Sequence, residues 1–327
     1  MYQFIVVLRA LAAIIITNAH YEEIYPVSII ANGGLLGDVI FFAVSGFCLC
    51  SIKTSFVKWY GKRILRIYPA VWMITIVYII CGFYSAGTVK GVLGLLVYPT
   101  YYHFVASIIV LYVVYYAIMK FVAIVKVDKI KILKILFGSV VGIQCLIYIF
   151  LYDKSYYHID SVYEPMIRFL FLESMLIGAI IHEKINKRKI ELRNQYIWGA
   201  LGTFIFYFGL KVALTKYSFV VPYQIFNQAI LLLLLYFIFM LAAGFEEKIK
   251  EIPRKIYICL RYISRITLEI YLVQYALIPR LNIAKFPINF ILVSFGIILA
   301  ATILHLVVNK LQVLVENLIK VNAKKVE

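Results

Sequence analysis

Ten long apolar blocks leave this 327-residue chain few ways to fold. They fall at 4–22, 35–52, 68–84, 104–124, 131–152, 165–182, 196–215, 222–244, 258–279 and 287–310. About 20 consecutive apolar residues are what an α-helix needs to cross a bilayer, and a helix satisfies its own backbone hydrogen bonds there. The blocks are continuous rather than alternating, which argues against a β-barrel. With 64% of residues hydrophobic and 15% charged, the chain reads as an all-α membrane protein. About ten transmembrane helices in one bundle are expected, with residues 1–327 forming a single integral-membrane domain. Residues 86–103 are too short and Gly-rich for a clean span and fit a short re-entrant or interfacial helix. The first block is read as a retained helix, since Arg9 interrupts it and no small-x-small cleavage site follows convincingly.

The net charge of +17 would suggest nucleic acid in a soluble protein. Here the basic residues sort by membrane side. With the N-terminus cytoplasmic, 26 of the 33 Lys and Arg residues lie at inner ends or inner loops. The other side keeps Lys90, Lys154, Arg168, Lys211, Lys216, Arg280 and Lys285. That bias predicts both termini in the cytoplasm and a multi-pass protein of the inner membrane. Membrane lipids are therefore expected partners, and nucleic acid is not. The five cysteines have neither zinc-finger nor redox spacing, and no metal is expected. The short loops leave no room for a soluble catalytic domain, so chemistry must come from the helices and their connections. The outer loops are rich in tyrosine, Tyr21, Tyr25 and Tyr101 among them. An interfacial aromatic belt and a platform for sugar rings both fit that pattern.

Charge inside the apolar blocks points to function. Arg9 and His20 are eleven positions apart in "LRALAAIIITNAHYEE", nearly three helical turns, so they share a face about 16 Å apart along the axis. An arginine in lipid costs on the order of 2.5–3.5 kcal/mol by insertion scales and so seeks a cavity or a partner. Snorkelling of Arg9 to the inner headgroups, with His20 at the interface, explains the pair alone slightly better. Glu173 and Glu269 also lie within apolar blocks. Arg265, one turn back, is a candidate partner for Glu269, and Glu173 has none nearby in sequence. His305 lies near the inner end of the last block without a supporting motif.

Further stretches join the first helix. "GDVIFFAVSGF" supplies Phe41, Phe42, Ser45, Gly46 and Phe47, "KRILRIYP" supplies Arg63, Arg66 and Pro69, and "YISRITLEIYLVQ" supplies Thr267, Ile270, Tyr271 and Leu272. With the Arg-x10-His helix, and in this order, they resemble the integral-membrane acyltransferase family 3, whose members O-acylate surface carbohydrates. His103 in "YHFVASIIVLYVVYY" stands where polysaccharide-modifying members carry a histidine, with Val105 where tryptophan is usual. Gln274 takes a place that is histidine in many members. Val39 stands where an acidic residue is common, with Asp38 one place earlier.

The resemblance implies transfer of an acyl group, acetyl above all, from cytoplasmic acetyl-CoA or another acyl-CoA. The acceptor implied is a hydroxyl of a cell-surface or lipid-linked carbohydrate, such as exopolysaccharide, O-antigen or capsule. Arg9, Arg63 and Arg66 are expected to hold the nucleotide phosphates, because guanidinium forks bind phosphate bidentately. His20 is expected to take the acceptor's proton or to carry the acyl group covalently. Asp38 is expected to orient the imidazole. A transporter or flippase of a lipid-linked glycan also needs buried charge and many helices, but it usually shows internal repeats, and none is evident here.

Overall fold

The computed structural model describes residues 2–85, 87–99 and 102–324, with side chains described through Val313. Tyr101 and Lys325, both counted in the sequence reading, lie outside the described residues. The fold is all helical, and no strand occurs among the described residues. Thirteen helices follow one another: α1 Gln3–Ala19, α2 Gly34–Leu49, α3 Phe56–Ile80, α4 Val89–Val97, α5 His103–Ile124, α6 Lys129–Phe150, α7 Met166–Lys187, α8 Asn194–Lys216, α9 Ile225–Gly244, α10 Glu246–Lys250, α11 Arg254–Arg265, α12 Thr267–Leu281 and α13 Ile288–Lys324. Among the described residues, seven helical segments are long and apolar enough to cross a membrane.

Each of the ten apolar blocks carries helix, with two differences. The third block begins early: α3 starts at Phe56, so Lys62, Arg63, Arg66 and Pro69 all lie inside the helix. The ninth block is two helices meeting at Ile266. There Thr267 Oγ1 donates to the carbonyls of Ile263 and Ser264, 3.1 Å each, a back-bonding that bends helices. The ambiguous 86–103 stretch contains the nine-residue α4, with Thr88 as its N-cap accepting from the Gly91 amide.

The chain divides into two compact units. The first comprises residues 1–12, 35–56 and 107–261, and the second comprises 13–34, 57–106 and 262–327.

In the first unit α2 and α7 cross at glycine. A Cβ on Gly46 would lie 2.0 Å from the Met175 carbonyl oxygen, and one on Gly178 would lie 1.9 Å from that of Ala43. Two backbones approach this closely only where both residues lack side chains, the small-residue packing usual between helices in lipid. Phe42 stacks on Phe171 beside the crossing, with ring centroids 4.1 Å apart. The Gly46 carbonyl accepts from the Tyr115 hydroxyl at 2.7 Å. At the start of α1, the Glu246 carboxylate accepts from the backbone amides of Gln3 and Phe4, at 3.0 and 2.8 Å. These are donors a helix cannot satisfy internally, and a carboxylate suits the positive end of its dipole. The loop between α6 and α7 is tied down by amides from the α8–α9 connection. Gln224 accepts from the His158 and Ile159 amides, Gln228 donates to the Ile159 carbonyl, and Asp160 accepts from Tyr157.

In the second unit α12 packs along α13. Tyr78 of α3 donates to the Leu272 and Val273 carbonyls at 3.1 Å each. Midway along α13, His305 Nδ1 lies 2.7 Å from Glu269 Oε1. Glu269 therefore pairs with this histidine rather than with the expected Arg265. Arg265 is exposed at the end of α11, while Glu269 lies buried one turn into α12.

Candidate functional site

The expected site residues divide between the units: Arg9 and Asp38 belong to the first, His20, Arg63 and Arg66 to the second.

Helix α1 ends at Ala19, and His20 follows in a turn whose amide donates to the Thr17 carbonyl at 3.1 Å. The face argument from the Arg-x10-His spacing therefore carries to the last helical turn, and His20 is presented by the turn beyond it. That turn is held firmly. Thr17 Oγ1 donates to Gln274 Oε1 of α12 at 2.7 Å. The Tyr21 hydroxyl lies 3.0 Å from Ser294 Oγ of α13. Asn18 donates to the Ile30 carbonyl at 2.9 Å and accepts from the Tyr25 hydroxyl at 2.8 Å. Asn282 donates to the Glu23 carbonyl and Asn289 to that of Ile24, at 3.1 and 3.0 Å. Four side chains from α12, α13 and their connection thus hold the chain on both sides of His20.

His20 itself is exposed. The protein packed around it nevertheless disfavours the charged ring and holds its pKa below the ordinary histidine value, while the Glu22 carboxylate pulls the other way. A neutral imidazole at pH 7 is the form that accepts a proton.

The Gln274 position, histidine in many proteins of the resembling family, serves here as a hydrogen-bond anchor for the turn that carries His20. Sequence reasoning missed this, along with Asn282, Asn289 and Ser294. Their signal was present: each is a polar side chain in or beside an apolar block, where an unbonded amide or hydroxyl is costly.

On α3, Arg63 and Arg66 lie one turn apart inside the helix, as their spacing predicts. The Arg63 guanidinium sits 5.3 Å from the Trp59 ring centre, and its Nε is buried without a hydrogen-bond partner. A buried guanidinium donor left unpaired is costly. Arg66 is exposed. Arg9 is half-buried on α1.

Asp38 lies half-buried in the second turn of α2, within electrostatic range of the buried Tyr207 hydroxyl of α8. Glu173 on α7 is fully buried, and neither carboxylate oxygen has a hydrogen-bond partner among the described residues. His103 is the first residue of α5. Among the described residues no three His, Cys, Asp or Glu side chains gather as a metal site.

An all-helical chain with several apolar helices of spanning length is a multi-pass membrane protein. Its family follows from comparison. A family model described as an acyltransferase domain, that of the acyltransferase 3 group, matches residues 2–309, and the chain belongs to this family of membrane acyltransferases. No curated protein and no solved structure matches the chain.

Proposed function

We propose that this acyltransferase moves an acetyl group from cytoplasmic acetyl-CoA to a hydroxyl of a carbohydrate at the outer face of the inner membrane. The observation that carries the reading is the His20 turn. A basic nitrogen at the end of an apolar helix, braced by hydrogen bonds on both sides, is placed for proton transfer. In the direct route the acceptor oxygen attacks the thioester carbonyl carbon while its proton passes to His20. The C–S bond breaks, and the proton then passes to the departing thiolate of coenzyme A. In the covalent route the His20 nitrogen attacks the thioester carbonyl carbon and expels the thiolate of coenzyme A; the hydroxyl then takes the acetyl from the imidazole, and its proton goes to the thiolate. Arg63, with its unpaired buried Nε, and Arg66 one turn along α3 offer guanidinium groups for the phosphates of the donor.

The membrane topology is part of the proposal: ten spans with both termini cytoplasmic. Contacts within each unit support it, because they join chain ends that the charge pattern puts on one side. The start of α1 meets Glu246, past the end of α9, at the inner side. The loop after α1 meets the α12–α13 connection at the outer side.

The test is transfer of radiolabelled acetyl from acetyl-CoA into carbohydrate by inverted membrane vesicles, comparing the wild type with His20→Ala. Label should reach a saccharide with the wild type and not with the variant. Movement of a lipid-linked glycan without any need for acetyl-CoA would point instead to a flippase.

A further inference from the structure

A groove of about 600 Å³, its open side included, runs beside the His20 turn in the second unit. Its walls come from α1, the α1–α2 loop, α11, α12 and α13. The two ends differ in chemistry. One is lined by Ala13, Ile14, Ile263, Ile270, Ile297 and Ile298, with no polar side chain among them. The other holds Thr17, Asn18, Tyr21, Tyr25 and Ser294 and flanks His20 in sequence. Aromatic rings gather at this polar end: Phe290 lies 5.7 Å from Tyr21 and 5.8 Å from Tyr25, centre to centre.

The polar groups are pinned in place but not exhausted. Tyr21 and Ser294 bond to each other, and two hydroxyls sharing one hydrogen bond leave one O–H free to donate. The Tyr25 hydroxyl donates to Asn18 and retains its lone pairs for an incoming donor. From Ala13 to His20 the chain rises about 10 Å at helical pitch, so the change in polarity runs along α1 itself.

Resting on the acyltransferase reading above, we infer that the groove seats an amphiphilic acceptor: the hydrocarbon tail lies among the isoleucines and the hydroxylated head meets the Tyr21–Ser294 pair beside His20. The direction of the gradient chooses this occupant. A tail entering from the outer leaflet points toward the bilayer centre with its head outward, which is the order of the lining. A donor rising from the cytoplasm would present the opposite order. The substrate class is therefore a membrane-anchored glycoside or glycolipid rather than a free soluble saccharide.

The full-length protein in proteoliposomes, supplied with radiolabelled acetyl-CoA, is offered methyl glucoside or dodecyl glucoside. kcat/KM should favour the dodecyl compound at least tenfold. Ile298→Trp and Ile14→Trp, both at partly exposed wall positions that tolerate bulk, should shrink that preference. A diazirine-bearing dodecyl glucoside should label residues 13–25 and 290–298, and the tryptophan variants should reduce the labelling. Equal use of the two glucosides, or labelling spread evenly over lipid-facing helices such as α6 and α8, overturns the inference. Either result leaves the acyltransferase reading intact, since that reading stands on dependence on acetyl-CoA and His20.

Discussion

The α2–α7 crossing and the His20 turn are both built from motif residues, but they are held by opposite means. At the crossing, Gly46 and Gly178 let backbone meet backbone, and the Phe42–Phe171 stack closes the gap beside them. No polar side chain is needed to hold the two helices together. At the turn, almost nothing is backbone on backbone between elements. Thr17, Asn18, Tyr21, Asn282 and Asn289 hold the chain by side-chain hydrogen bonds. In lipid, dispersion packing is what a rigid scaffold needs, and directional bonds are what fix a reacting group. The Phe-Phe-x-x-Ser-Gly-Phe run is thus a packing motif in this structure, whereas the polar residues around His20 hold a turn in place.

The harshest way to break the comparison is at the crossing. Gly178→Leu forces a side chain into the Ala43 carbonyl and should cost about 3 kcal/mol or more, enough to remove the folded protein from detergent extracts. Size-exclusion profiles and thermal unfolding read this directly. At the turn the effect should appear in rate and not in folding. His20→Ala should lower acetyl transfer roughly 10²–10⁴-fold with an unchanged melting temperature. The same residue sets a pH dependence. Its lowered pKa keeps the base neutral at pH 7, so acetyl transfer should fall only as pH drops below the ordinary histidine value of about 6.5. A half-point above that value in a pH–rate profile would assign the titration to another group.

Smaller effects sharpen the contrast. His305→Ala leaves the Glu269 carboxyl without its partner and should destabilise by about 1–3 kcal/mol. A double-mutant cycle with Glu269→Gln should show coupling between the two. Gln274→Ala removes one hydrogen bond from the braced turn and should cost only about 1 kcal/mol in stability. It should reduce kcat more than that stability loss suggests, because Thr17 no longer fixes the turn before His20.

The helices were legible because their signal is local. Hydrophobic blocks of spanning length define them, and nine of the ten blocks carry a single main helix. The break at Ile266 was hidden, because it depends on a threonine side chain bonding back to its own helix rather than on any helix-breaking residue. The site was legible in part. His20, Arg63 and Arg66 stand out as polar groups at motif spacing within apolar sequence. Their supports do not, because Gln274 and Ser294 are distant in sequence from the residues they hold and show no pattern of their own. The partner of Glu269 was misread for the same reason. Arg265 is a near neighbour in sequence, but His305, 36 positions on, is the neighbour in space.

The grip of Glu246 on the first amides of α1 has a consequence for how the protein is made. The cap and the turn it completes are 242 and 243 residues apart, so α1 acquires its lid only after nine of the thirteen helices have been synthesised. Until then the opening N–H groups of α1 must rest at the aqueous surface. A nascent chain truncated before Glu246 should therefore hold its leading end in water, open to amide hydrogen exchange, and close it only once the remainder arrives.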